Sequence, residues 1–467
     1  MDIPAEQQHS SPESNPEVRK IWWVAFILQS AWGFTEGIYL YSWGPYFYEK
    51  FGGGKNASTA MLLTTVLLGL RQGLVALLEI PTGALADSIG RVHTILSAWM
   101  IRVLFFVFLS AIWLFQSVSY AFTFGVLACV AFSFSYTLFN GAFSAWCAEK
   151  LKESSAPFNY TWLASRFYSY RSLMGLLGTV LGVSVYIAGV PFLGFCIAAV
   201  VSFVIMGFCM TKMEEVKAVE FVKWEKGQWG KITRRIGEVV GRGTQVAWKN
   251  PVLFWVIITY GAFMFLLNIV NYLWPVYLKS KAGVNDFSAT WLAVAALTLV
   301  IMFAGSRGLA WLNDRWSRSG GTSSHIVAIR RIFVGSAVLS AAFVLGLSWE
   351  TLYQPITPLF FPAAVLFISF GFGLIGPCFE TLVNHYIPPQ DVAERATILS
   401  AGSMIRSFMV LLLAIPSGGG SGEKSPVGWA IPAMLLLTAA LVANYYIRKA
   451  QQKTALEDKV KAIYETA

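Results

Sequence analysis

Glu-Ile-Pro-Thr-Gly-Ala-Leu-Ala-Asp-Ser-Ile-Gly-Arg, residues 79–91, joins two long apolar segments at the point where a hydrophobic helix must turn and re-enter a membrane. Gly83, Asp87, Gly90 and Arg91 fall in a G-x-x-x-D-x-x-G-R spacing. A weaker echo, Ala310-Trp-Leu-Asn-Asp314-Arg-Trp-Ser-Arg318, keeps the Asp-x-x-x-Arg spacing 227 residues later. A loop repeated at that distance points to a chain built from two similar halves.

Composition places both halves in a bilayer. Of 467 residues, 56% are hydrophobic and 13% charged, with mean hydropathy +0.59, and a soluble domain with so little charge would expose large apolar patches. A spanning helix needs about 20 mostly apolar residues. Twelve spans meet that need, at 21–47, 59–86, 94–116, 119–148, 159–187, 190–211, 251–278, 287–312, 326–348, 358–386, 394–417 and 428–448. With the N-terminus inside, cytoplasmic segments hold 24 of the 35 Lys and Arg, external loops hold 5, and 6 lie within spans. The excess of basic residues on one side sets the orientation, and an even number of spans puts both termini in the cytoplasm. The net charge of +10 is therefore topological, spread over loops facing one leaflet, and does not point to nucleic acid.

The expected organisation is a disordered cytoplasmic tail (1–18), a six-helix bundle (19–211), a cytoplasmic linker (212–250), a second six-helix bundle (251–449) and a cytoplasmic C-terminal tail (450–467). Trp229, Ile232, Ile236, Val239, Val240 and Trp248 are interleaved with basic residues in the linker, which reads either as an amphipathic surface helix or as a plain connection. The opening residues lack the basic and short apolar regions of a cleaved signal. The five cysteines fall in spans or at their ends, without a Cys-x-x-Cys or His-rich pattern, so neither disulfides nor a metal is expected. Asn56-Ala-Ser58 lies in the first external loop and matches a glycan acceptor.

The halves echo one another elsewhere. Trp43-Gly-Pro45-Tyr46 matches Trp274-Pro275-Val-Tyr277, Arg171-Ser-Leu-Met174 matches Arg406-Ser-Phe-Met409, and Gly141 meets Gly376 at the same offset of 235. The loop motif and these repeats together resemble the major facilitator superfamily. That resemblance covers residues 20–450 and implies an all-α membrane protein, with twelve transmembrane helices in two pseudo-symmetric six-helix bundles and a substrate site between them near the midplane. The chain departs from the family pattern at Ser88 and Val92, where basic residues are usual. Its fifth span has Gly175, Gly178 and Gly182 but lacks the Gly-Pro-x-x-Gly-Gly signature of many drug antiporters. No sugar-porter signature is present.

The resemblance implies that spans 1, 4, 7 and 10 line the cavity and that spans 2, 5, 8 and 11 form the contact between halves. Charges inside a bilayer cost about 2.5–3.5 kcal/mol each on insertion scales and persist where they face a partner or water. Glu36, flanked by Gly33 and Gly37, lies about 22 Å along span 1 at 1.5 Å per residue and has no nearby cation in sequence. It reads as a proton-exchanging acid or as a structural hydrogen-bond acceptor. Arg171 and Arg406 lie at matching depths in spans 5 and 11. They read either as a pair of donors for an anionic or zwitterionic solute or as helix ties neutralised by fixed acids. Arg71 lies nearer the outside and can join the same field or brace an external gate. Glu79 and Arg102 match in depth across spans 2 and 3 and are expected to pair, as are Glu380 and Arg307. Glu380 is also a candidate for contact with substrate or proton, since span 10 lines the cavity.

Asp87, Arg91 and Glu149, with Asp314 and Arg318 in the second copy, read as a gate. Asp87 is placed to cap the start of span 11 and Arg91 to pair with Glu149, contacts expected when the halves close on the cytoplasmic side. Trp32, Phe34, Tyr39, Phe139, Phe143, Trp146 and Phe263 offer either a stacking wall or packing. The combined reading is a monomeric, proton-coupled transporter of a small organic solute, anionic or zwitterionic, working by alternating access in a cell membrane. Multidrug efflux is the alternative within the class, and a transporter-like sensor or scaffold the alternative outside it. No nucleophile–base spacing, phosphate loop or cofactor motif suggests an enzyme.

Overall fold

The computed structural model describes residues 16–52, 56–153, 160–215, 248–281, 284–318, 322–353, 360–387 and 430–466, with isolated helical positions at 234, 245, 404, 407 and 408. Between turns, the described chain is helical. The first half holds α1 (Pro16–Leu40), α2 (Trp43–Lys50), α3 (Ala57–Ile89), α4 (Arg91–Ile112), α5 (Val118–Glu153), α6 (Tyr160–Ile187) and α7 (Pro191–Lys212). The second holds α8 (Pro251–Lys281), α9 (Val284–Arg318), α10 (Thr322–Tyr353), α11 (Phe360–Tyr386) and α12 (Ala430–Thr466). Among the described residues, α3 to α12 are ten helices long and apolar enough to cross a membrane. α1 is also long, but carries Gln29, Ser30, Thr35 and Glu36. The expected eleventh span and most of the 212–250 linker lie outside the described residues.

Two local features follow from single residues. The expected first span, 21–47, is broken at Tyr41–Ser42. Pro45 has no N–H, and its ring would clash with the carbonyl four residues back, at Tyr41. The chain restarts as α2, with Ser42 Oγ donating back to the Ile38 carbonyl at 2.9 Å. At the 79–91 loop, α3 stops at Ile89 and α4 starts at Arg91, with only Gly90 between them at φ 100° and ψ 150°. A side chain there would be strained, so the loop's last glycine is a backbone requirement.

The packing repeats as the sequence does. In the first half α4 lies against α5 and α7; in the second, α10 lies against α11 and α12. The first half has two apolar clusters. One, at the end bearing the Arg91 loop, gathers Val24, Trp32, Trp99, Phe139, Phe143 and Trp146 and contains no residue of the second half among those described. The second half has a single cluster, and Tyr41, Met61 and Val183 of the first half enter it at the opposite end, which bears Pro45. Tyr186 meets Trp291 edge-on at 4.9 Å at that same end, and Gln72 Nε2 donates across the halves to Asn268 Oδ1 at 3.4 Å. The halves therefore share a core at the Pro45 end.

Candidate substrate and proton site

The site begins with glycines. α1 and α6 pack through Gly33, Gly37, Gly175, Gly178 and Gly182. A Cβ added at Gly33 or Gly37 would fall on the carbonyls of Arg171 and Gly175, and one at Gly178 or Gly182 on those of Phe34 and Ile38. Small residues allow such backbone contact between membrane helices. The result is to hold Glu36 and Arg171 face to face across the seam. Arg171 Nη2 and Nε both donate to Glu36 Oε2, at 2.6 and 2.9 Å. The side chains are 21% and 22% exposed, enclosed yet reachable. Glu36, which lacks a cation nearby in sequence, thus has one in space.

Arg102 on α4 backs this pair. It is fully buried, and its Nε and Nη2 donate to Thr35 Oγ1 at 3.0 and 2.8 Å, one residue before Glu36. Its guanidinium stacks 3.7 Å from the centre of the Trp32 ring. The expected pairing with Glu79 does not form: Arg102 turns its Nε and Nη2 donors to Thr35 and Trp32. Depth was matched correctly, but Arg102 points towards α1. Arg71, 1% exposed, lies between the rings of Trp43 and Phe132, at 5.2 and 4.7 Å, beside Gln72 and its link to α8. Arg307 is exposed on α9, 5.9 Å from the Phe303 ring. Glu380 lies on α11 and Asp314 and Arg318 on α9, but their side chains fall outside the described residues, as does Arg406 altogether.

At the loop, Arg91 Nη2 reaches Glu149 Oε1 at 3.2 Å. Both residues belong to the first half, and the pair is formed in a structure whose halves share their core at the other end. Asp87 is on the last turns of α3 with its side chain outside the described residues, and so is its expected target, the start of span 11. Sequence reasoning missed Glu215. Its carboxylate accepts from the backbone N–H of Arg91 and of Val92, both at 2.9 Å, satisfying two orphan donors at the start of α4. The signal was the acidic pair Glu214-Glu215 closing the sixth apolar run. The aromatic residues are packing: Trp32 stacks on Phe139 at 4.1 Å and Phe139 on Phe143 at 5.1 Å inside the buried cluster.

Residues 164–414, just over half of the chain, match the sequence profile of the Major Facilitator Superfamily. The chain belongs to that superfamily. It is a multi-pass membrane transporter and not an enzyme. Its fold is similar to crystal structures of the peptide transporter POT in complex with sulfate (14% identity, 93% of this chain and 95% of that one, TM-score 0.64) and of the human organic anion transporter MFSD10 (15%, 92% and 100%, 0.59). A mutant of the nucleoside transporter NupG is alike to a similar degree (14%, 91% and 99%, 0.60). At such identities the likeness is one of fold. No curated protein sequence matches the chain.

Proposed function

We propose that this facilitator is a proton-coupled symporter of a small organic solute bearing a carboxylate or a comparable anion, with Glu36 as the proton carrier and Arg171 as the anion anchor. The observation that carries the reading is the Glu36–Arg171 pair at 2.6 Å, partly exposed across the α1–α6 seam. Both guanidinium donors converge on one carboxylate oxygen. A solute carboxylate can take their place only if Glu36 gives them up, and two carboxylates sharing one guanidinium repel each other unless one of them carries a proton. Proton and anion are then loaded together, because one guanidinium serves either carboxylate. Arg406, at the matching depth of the second half, is assigned the same kind of contact from its side. Glu380 and Arg71 are assigned places at the margin of the site, and the Asp87–Arg91–Glu149 loop, with Asp314 and Arg318, to the gate at the cytoplasmic end.

Proteoliposomes with an imposed pH gradient test this. Glu36→Gln is expected to abolish gradient-driven accumulation while leaving solute-for-solute exchange, which moves no net proton. Arg171→Ala is expected to weaken solute binding by about 2–5 kcal/mol, and Lys to rescue poorly because it has charge but no fork. Accumulation at the unsubstituted level in Glu36→Gln would overturn the proton assignment, and unchanged affinity in Arg171→Ala the anion assignment.

A further inference from the structure

At the Arg91 end, Lys20, Arg91 and Lys150 of the first half meet carboxylates, Glu214 at 2.8 Å, Glu149 at 3.2 Å and Glu153 at 2.9 Å, whereas exposed Arg19 and Lys212 make no ion pair with any described residue. In the second half, Arg330 and Arg331 of α10 and Arg448 and Lys449 of α12 make no ion pair with any described residue. α10 and α12 pack against each other, and Arg330 Nη1 donates to Gln451 Oε1 at 2.6 Å, so Arg330, Arg331 and Arg448 gather around one seam. Arg330 is only 7% exposed, and its Nε is buried without an acceptor. The like charges of Arg331 and Arg448 bear directly on it. Two neighbouring cations beside a nearly buried guanidinium are unfavourable unless an anion joins them.

The surroundings say which anion. On α12, Ile431, Met434, Leu441 and Tyr445 are exposed at helical spacings that put them on one face, and Arg448 and Lys449 continue that face past its apolar stretch. On α10, exposed Leu339 lies two turns from exposed Arg331 on the same side. An apolar, lipid-facing stripe on α12 and the exposed Leu339 of α10 therefore border the same cluster of cations. We propose that this seam is a binding site for an anionic phospholipid, its phosphodiester held by Arg330, Arg331 and Arg448 and its acyl chains laid along the stripe of α12. Arginine grips phosphate through paired donors, and basic pockets between helices at a membrane surface hold anionic headgroups. A soluble phosphate would satisfy the cations but leave the apolar stripe unused.

The test uses the full chain in neutral detergent, with retained lipid counted by native mass spectrometry after addition of phosphatidylglycerol or phosphatidylcholine. Preferential retention of phosphatidylglycerol is expected. In the double variant Arg331→Gln/Arg448→Gln, both exposed positions, retention should fall by about fivefold per cation removed. Lys20→Gln, which removes a cation from the other half, should leave retention unchanged. Equal retention of phosphatidylcholine, undiminished retention in the double variant, or an equal loss in Lys20→Gln would overturn the site. If glycerol phosphate raised the melting temperature as much as phosphatidylglycerol, the occupant would be a soluble anion and the lipid assignment would fall. None of these readouts involves transport, so they stand apart from the function proposed for Glu36 and Arg171.

Discussion

Gly37→Ala is the perturbation that most directly tests how the site is built. The added Cβ would fall on the Gly175 carbonyl, a backbone atom that no rotamer change can move. Restoring normal contact requires α1 and α6 to part by about 1 Å. The Glu36–Arg171 contact, 2.6 Å in the native seam, would lengthen with it. At an effective dielectric of about 20, stretching a unit-charge pair by about 1 Å from that separation forfeits about 2 kcal/mol. Strain from overpacking adds roughly 1–3 kcal/mol. Reversible unfolding in mixed micelles should therefore show Gly37→Ala less stable by about 3–5 kcal/mol. In a Glu36→Gln background the electrostatic part should vanish, leaving a coupling of about 2 kcal/mol between the two sites. Gly141→Ala, where an added Cβ meets nothing within 4 Å, serves as the harmless control. A Gly37→Ala protein as stable as the native one, or a penalty unchanged by Glu36→Gln, would refute the view that the glycine seam holds the ion pair.

Two further substitutions probe the surroundings of the pair. Thr35→Val leaves the buried Arg102 donors without their acceptor and should cost about 1–3 kcal/mol, whereas Arg102→Met, which removes the buried charge as well, should cost less; equal losses in unfolding measurements would contradict that ordering. Glu215→Ala strips the acceptor from the N–H groups of Arg91 and Val92 and should destabilise the start of α4 by about 1–2 kcal/mol, seen as faster hydrogen exchange at 91–94; unchanged exchange would mean that the cap contributes nothing.

Much of the fold was legible because it depends on one-dimensional quantities. Hydropathy marked the helices, the Asp87–Arg91 spacing marked the loop, and the offset between Pro45 and Pro275 marked the repeat. Depth along each helix was legible too, which is why Glu36 and Arg171 were each singled out. What the sequence could not supply was rotation about the helix axis. Glu79 and Arg102 matched in depth, yet Arg102 faces Thr35 and Trp32. Glu36 looked isolated from cations, yet the glycines beside it admit α6 close enough for Arg171 to reach it. Those glycines were visible, but only contact between backbones gives them meaning. Glu215 escaped notice because a carboxylate capping another helix's backbone leaves no spacing signature.

The interruption at Tyr41–Ser42 has a mechanical consequence. α1 is fastened to α6, while α2, just beyond the break, packs on α3 of its own half and also touches α8 of the other, with Trp43, Tyr46 and Phe47 seated in the first half's own cluster. Were the two segments one rigid rod, any tilt between the halves would act on Glu36 through a lever arm of about 10 Å, the rise from Glu36 to Trp43, prising it from Arg171 with every swing. A joint at Tyr41–Ser42 absorbs that torque in two residues. α2 meets the far half from its seat in the first half's core while α1 stays on its glycines, so the Glu36–Arg171 contact is not loaded by the tilt itself.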